Sequence, residues 1–125
     1  MTALMFASEK GHGEVVSLLL KQGANKDVAD NLSGSTALMK ASAACHLEVM
    51  SLLLEAGADK DTANSFGRTA LMDASAVGDV EVVRLLLAAG ANKDLTDISG
   101  DTALSAATDA CRVEIVRFLL NAGAN

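Results

Sequence analysis

The chain has 125 residues, enough for one domain, and half of them are hydrophobic, yet only Phe6, Phe66 and Phe118 are aromatic. A core must therefore come from Leu, Ala, Val and Met, small side chains that suit a thin stacked array better than a thick globule. The net charge of −6 opposes binding to nucleic acid, no basic cluster exists to grip an anionic membrane surface, and the longest strongly apolar run, about six residues around Val15 to Leu20, falls far short of a membrane span.

The first element opens at Thr2-Ala3-Leu4-Met5, and that stretch returns as Thr36-Ala37-Leu38-Met39, Thr69-Ala70-Leu71-Met72 and Thr102-Ala103-Leu104-Ser105. The spacings are 34, 33 and 33 residues. A second marker keeps step: Gly23-Ala24-Asn25, Gly57-Ala58-Asp59, Gly90-Ala91-Asn92 and Gly123-Ala124-Asn125, each glycine 21 residues after its threonine. A period near 33 makes this a repeat protein. The units run over about 2–35, 36–68, 69–101 and 102–125, within one domain spanning 1–125.

Within the third unit, Thr69 is placed to cap a helix over 70–77, which Gly78 ends with a positive φ. A second helix is predicted from Val80 to about Ala89, with Val82, Val83, Leu85, Leu86 and Leu87 on a broad buried stripe and Glu81, Arg84 and Ala88 on a narrow wet one. The other units share this grammar: Glu14, Glu48, Glu81 and Glu114 occupy one position, and Leu18, Leu52, Leu85 and Phe118 another. The first connection, Asp27 to Gly34, holds one extra residue near Asn31, as a surface tip tolerates.

These units resemble ankyrin repeats over essentially the whole chain. The elements that carry the resemblance are Thr2-Ala3-Leu4-Met5, Ala7-Ser8, Gly11-His12, Glu14-Val15-Val16, Leu18-Leu19-Leu20 and Gly23-Ala24-Asn25, repeated in phase. The resemblance implies an all-α fold, an ankyrin-type α-solenoid of helix-turn-helix repeats with β-hairpin fingers. The tetratricopeptide alternative wants Trp and Tyr, and this chain has neither.

Several positions depart from the family pattern. Its proline is Ala3, Ala37, Ala70 and Ala103 here, and alanine is the better helix former. Its histidine in that motif is Met5, Met39, Met72 and Ser105, trading a polar tie for apolar packing in three units. Cys45 and Cys111 replace the glycine that ends the first helix. A left-handed backbone at either costs about 1–2 kcal/mol; otherwise the helix ends differently there. Neither end unit is specialised as a polar cap: the first keeps Val15 and Leu18, the last Val116 and Leu120. The expectation is a segment of a longer array, or association through the ends.

Catalytic and metal chemistry find no support in the pattern. His12 and His46 lie one repeat apart, about 8–10 Å for packed helices, too far to share a zinc easily. Cys45 and Cys111 are two repeats apart, beyond the reach of a disulfide if the stacking holds. Asp59 and Asp61 read as a solvated turn, and no phosphate loop or dinucleotide fingerprint occurs. No cofactor is expected. The two lone cysteines and the absence of a signal-peptide pattern at the start fit an intracellular, cytoplasmic setting.

Comparison between units points to the binding surface. One first-helix position reads Phe6, Lys40, Asp73, Ala106, and the pair before the turn reads Glu9-Lys10, Ala43-Ala44, Ala76-Val77, Asp109-Ala110. Their neighbours barely change, so these positions face solvent or a partner. Ala43, Ala44, Ala76 and Val77 would form a shallow apolar floor, fringed by Phe6, Glu9, Lys10, Lys40, Asp73 and Asp109. The finger tips vary as well: Leu32, then Ser65, Phe66 and Arg68, then Ile98, Ser99 and Asp101. Leu32, Phe66 and Ile98 either pack under the neighbouring finger or serve as contacts, and Arg68 is placed to pair with a partner's carboxylate. The function expected is non-catalytic binding of another protein, through a concave groove and the finger tips. The alternative is a structural or self-associating segment of a longer repeat array.

Overall fold

The computed structural model describes residues 1–124. Among them lie eight helices in four pairs: α1 (Ala3–Lys10) and α2 (Gly13–Lys21), α3 (Ala37–Ala43) and α4 (Leu47–Glu55), α5 (Ala70–Val77) and α6 (Val80–Ala88), α7 (Ala103–Asp109) and α8 (Val113–Asn121). Each first helix begins where its threonine side chain accepts a backbone hydrogen bond three residues on. Thr2 accepts from Met5, Thr36 from Met39, Thr69 from Met72 and Thr102 from Ser105. Such a cap is worth about 1 kcal/mol, and the alanine that follows holds the first turn with no side-chain entropy loss.

The pairs stack in two rows. The first helices touch in the order α1, α3, α5, α7, and the second helices in the order α2, α4, α6, α8. Between the rows runs one continuous core of Leu4, Leu38 and Leu71 from the first helices and Val16, Met50, Val83, Leu53, Leu86 and Leu119 from the second. Met5, Met39 and Met72 are buried in it, so the apolar packing expected of them is realised. Each fully buried Leu or Met contributes about 1.5–3 kcal/mol relative to exposure. Arg84 and Arg117 stay on the wet face of their helices.

The fingers contain no strand among the described residues. Each is a tight loop closed by two backbone bonds: Asp30 N–H to Ser35 O, Asn64 N–H to Arg68 O and Asp97 N–H to Asp101 O, each 2.9 Å, with Gly34, Gly67 and Gly100 N–H donating back to Asp30, Asn64 and Asp97 O. The first loop spans one residue more than the others, which is where the insertion near Asn31 is absorbed. One side-chain oxygen organises each tip. Asp30 Oδ1 accepts from the amides of Leu32, Ser33 and Gly34, Asn64 Oδ1 from Phe66 and Arg68, and Asp97 Oδ1 from Ser99 and Asp101. These bonds fill the role that a hairpin ladder would have, so paired strands are not needed to fix the tips. Neighbouring fingers are joined by Ser65 N–H to Ser33 O at 2.9 Å and Ile98 N–H to Phe66 O at 3.2 Å.

Candidate partner-binding surface

The first helices and the fingers share one face, and the unit-to-unit variation falls on it. The ends of α3 and α5 are built from small residues, which leaves the backbone there close to the surface. Ala43 and Ala44 are exposed, Ala76 is half-buried, and Val77 is 70% exposed. Between α3 and α5, Ala43, Ala76 and Val77 border a cavity of about 290 Å³ whose apolar lining also includes Met39, Ala70 and Ala74. A second hollow of about 360 Å³ shares Met39, Ala43 and Asp73 with it and adds Glu9, Lys40 and Ala44. A third, of about 730 Å³, starts at Ala76 and runs to Asp101, Ala106, Asp109 and Ala110. The hollows therefore adjoin through shared walls and form one furrow that runs from Glu9 of the first unit to the fourth unit.

Ion pairs organise the furrow's edge. Lys40 Nζ lies 2.8 Å from Asp30 Oδ2, tying α3 to the first finger. The Lys40 ammonium, followed by the Ser33 amide, holds the Asp30 carboxyl far below the usual carboxylate range. Arg68 bonds Asp73 through Nε and Asp97 through Nη1, the latter at 3.1 Å. The Asp73 carboxylate is the main cause that pushes the Arg68 pKa up. The Asp97 carboxyl is held down first by the Asp101 amide and further by Ser99 and Arg68. Arg68, expected to reach outward for a partner's carboxylate, is thus already engaged by two carboxylates of its own chain.

At the finger tips Leu32 is 96% exposed, Ile98 76% and Phe66 58%. None of the three is buried beneath the neighbouring finger. Ser65, Ser99 and Asp101 are exposed beside them. Phe6, Glu9 and Lys10 are exposed on α1, and of these only Glu9 lines one of the three hollows.

A family model describing ankyrin repeats in three copies matches residues 1–64 and again 58–125, so the two matches together span the chain. The chain belongs to the ankyrin-repeat family. A comparison with curated proteins gives no match. Ankyrin repeats are generally protein–protein interaction modules, and the family is typically non-catalytic. No helix of the described residues is long and apolar enough to cross a membrane.

Some contacts between ankyrin units were not legible in the sequence. Asp59 and Asp61, read as members of a solvated turn, belong to a chain of side-chain bonds between units. Asp27 Oδ1 accepts from the Asp59 amide at 2.8 Å, and Asp61 Oδ1 accepts from the Asn92 amide at 2.7 Å. The recurrence of Asp27, Asp61 and Asp94 four residues after Gly23, Gly57 and Gly90 was the available signal. Asp79 and Met39, absent from the expected surface, line the central hollow. Cys45 and Cys111 are free and exposed, and both adopt positive φ, 58° and 56°. Helices α3 and α7 end one residue earlier than α1 and α5, with Ala44 and Ala110 as their C-caps, yet the turn still passes through the left-handed region at these cysteines as it does at Gly11 and Gly78.

Proposed function

We propose that this ankyrin domain is a non-catalytic scaffold that binds another protein through its concave groove and its finger tips. The observation that carries this reading is the coincidence, on one face, of a shallow apolar furrow and three large exposed apolar side chains. Val77 at the furrow and Leu32, Phe66 and Ile98 at the tips all remain in water. Exposed apolar surface of this kind, rimmed by polar residues, is characteristic of interaction sites. The remaining contacts assigned here are Phe6, Glu9, Lys10, Lys40, Ala43, Ala44, Ser65, Arg68, Asp73, Ala76, Ser99, Asp101, Asp109 and Ala110. Arg68 acts in this scheme by holding Asp73 and Asp97 in place. The exposed free thiols fit an intracellular, reducing compartment.

Affinity purification followed by mass spectrometry tests the reading. A partner captured by the native chain should be lost from a Phe66→Ala/Val77→Asp variant whose circular-dichroism melt stays cooperative. Capture retained by that variant refutes the placement.

A second reading, end-to-end association of ankyrin units, has its own observation. Val15 is 46% exposed, whereas its counterparts Val49, Val82 and Ile115 are no more than 1% exposed. Leu18 is 59% exposed, and Leu52, Leu85 and Phe118 are partly covered. The flank that each inner unit hides against its neighbour is bare on the first unit, and a second copy stacked head to tail would cover it. Light scattering against concentration decides this: a monomer at every concentration removes it, and association abolished by Leu18→Glu supports it.

A further inference from the structure

We propose that the furrow takes a basic peptide segment of another protein, one in which Lys or Arg flank a bulky apolar anchor. This rests on the protein-binding reading above and adds the chemistry of the partner. The anchor's seat is the hollow between α3 and α5, about 290 Å³ with a floor of Met39, Ala43, Ala74, Ala76 and Val77. That volume lies at or below the low end of the roughly 300–1,000 Å³ of small-molecule sites, and it suits one large side chain. Alanines in the floor are what leave the space open.

Charge selects what flanks the anchor. The carboxylates lining the three adjoining hollows are Glu9, Asp73, Asp79, Asp101 and Asp109. The cations lining the same hollows are Lys40 and Arg68. Both are occupied: Lys40 by Asp30, and Arg68 by Asp73 and Asp97. Asp30 and Asp97 stand outside those linings, so they neutralise the furrow's cations without using up its other carboxylates. Glu9, Asp101 and Asp109 are exposed, and their carboxylates accept one hydrogen bond among the described residues, a long one from Ser105 Oγ to Asp101 at 3.4 Å. Two further cations stand at its margin: Arg112, whose Nε donates to Ala76 O at 3.2 Å, and Lys10, which follows Glu9 on α1. Lys10, Lys40, Arg68 and Arg112 are outnumbered by the five lining carboxylates together with Asp30 and Asp97, so the furrow presents a net negative field over an apolar floor. Such a field steers positively charged segments inward and repels acidic ones. The exposed position of these carboxylates makes the attraction sensitive to salt.

Selection from a random peptide library against the full chain tests the proposal, with every enriched clone re-measured on two variants. Ala43→Arg fills the hollow's rim with a like charge to the expected guest. Asp101→Lys/Asp109→Lys reverses the field without touching the floor. The expected result is a pool enriched in Lys and Arg around a Leu, Ile, Phe or Met, with affinity falling about tenfold or more on each variant and declining with added salt. A pool of neutral or acidic peptides that still loses binding on Ala43→Arg overturns the charge assignment and leaves the groove reading standing. Clones that bind Ala43→Arg as well as the native chain, or a selection that enriches nothing, overturn the groove reading itself. If Ala43→Arg fails to melt cooperatively, Val77→Arg serves in its place, at a side chain 70% exposed.

Discussion

His46 Nε2 lies 3.0 Å from the backbone oxygen of Glu9, so the residue that precedes α4 is bonded to the end of α1 in the unit before it. A carbonyl can only accept, so the ring donates from Nε2. Arg112 repeats the contact two units on, its Nε donating to Ala76 O at 3.2 Å. In both places the helix under the donor ends in glycine. A Cβ on Gly11 would stand 2.7 Å from the His46 ring, and one on Gly78 would stand 2.8 Å from Arg112 Nε. Where Cys45 holds that place instead, the next unit carries the shorter Asp79, whose carboxylate acts on the Cys45 thiol. The left-handed residue after one unit's first helix and the residue opening the next unit's second helix are thus matched in size.

This matching predicts a coupling between Gly11 and His46. Gly11→Ala should destabilise by about 1–2 kcal/mol from its left-handed backbone alone, and by more while the histidine ring is present. His46→Ala should cost about 0.5–1.5 kcal/mol for the lost bond. Combined, the two should cost less than their sum, because removing the ring relieves the contact. Urea denaturation of the four proteins measures this, and strict additivity counts against the contact.

Cys45→Gly and Cys111→Gly should each stabilise the fold. The left-handed backbone at φ 58° and 56° strains a residue that carries a Cβ. Part of the relief is offset by the greater freedom of glycine in the unfolded chain, leaving a rise in Tm of about 2–4 °C. A lowered Tm in either variant contradicts the strain.

The Asp79 carboxylate, with a smaller part from desolvation, pushes the Cys45 thiol pKa up and so keeps it protonated. Asp79→Asn should therefore raise the rate at which iodoacetamide alkylates Cys45 at mildly alkaline pH, followed by peptide mass spectrometry. Asparagine retains an oxygen for the Val82 amide that Asp79 caps, so the helix start is preserved. An unchanged rate removes the influence of Asp79.

Acid should weaken the fold through Asp30. Its pKa in the folded chain is depressed below the ordinary value of 3.8 by Lys40 and Ser33. A depressed carboxyl contributes stability above its unfolded pKa and loses it as pH falls through the folded one. The stability gap between the native chain and Asp30→Asn should be full at pH 7 and shrink below about pH 4. Urea unfolding at both pH values checks it, and a gap independent of pH refutes the ion pair's role.

Much of the architecture was readable from residue spacing. Helix α5 occurs over the predicted span, and α6 ends one residue earlier than expected. The threonine caps and the extra residue in the first finger are where the markers placed them. The fingers were harder to read. A hairpin and a tip tied by Asp30, Asn64 or Asp97 leave the same turn-rich signature, and only the bonding pattern separates them. The candidate surface was legible at Ala43, Ala44, Ala76 and Val77, because variation between units exposes positions free of packing. Asp79 was missed because its counterparts, His12, His46 and Arg112, resemble it in neither size nor charge.

By itself, the sequence determined the repeat, the paired helices and the apolar stripe that seals them. These depend on local periodicity and on contacts between identical positions one unit apart, so the period contains them. Only the tertiary structure decided which charges remain free. Arg68 meets Asp97 across 29 residues, and Lys40 meets Asp30 across a finger of irregular length. Such pairings depend on where long side chains reach once the units are stacked, and no spacing along the chain encodes that.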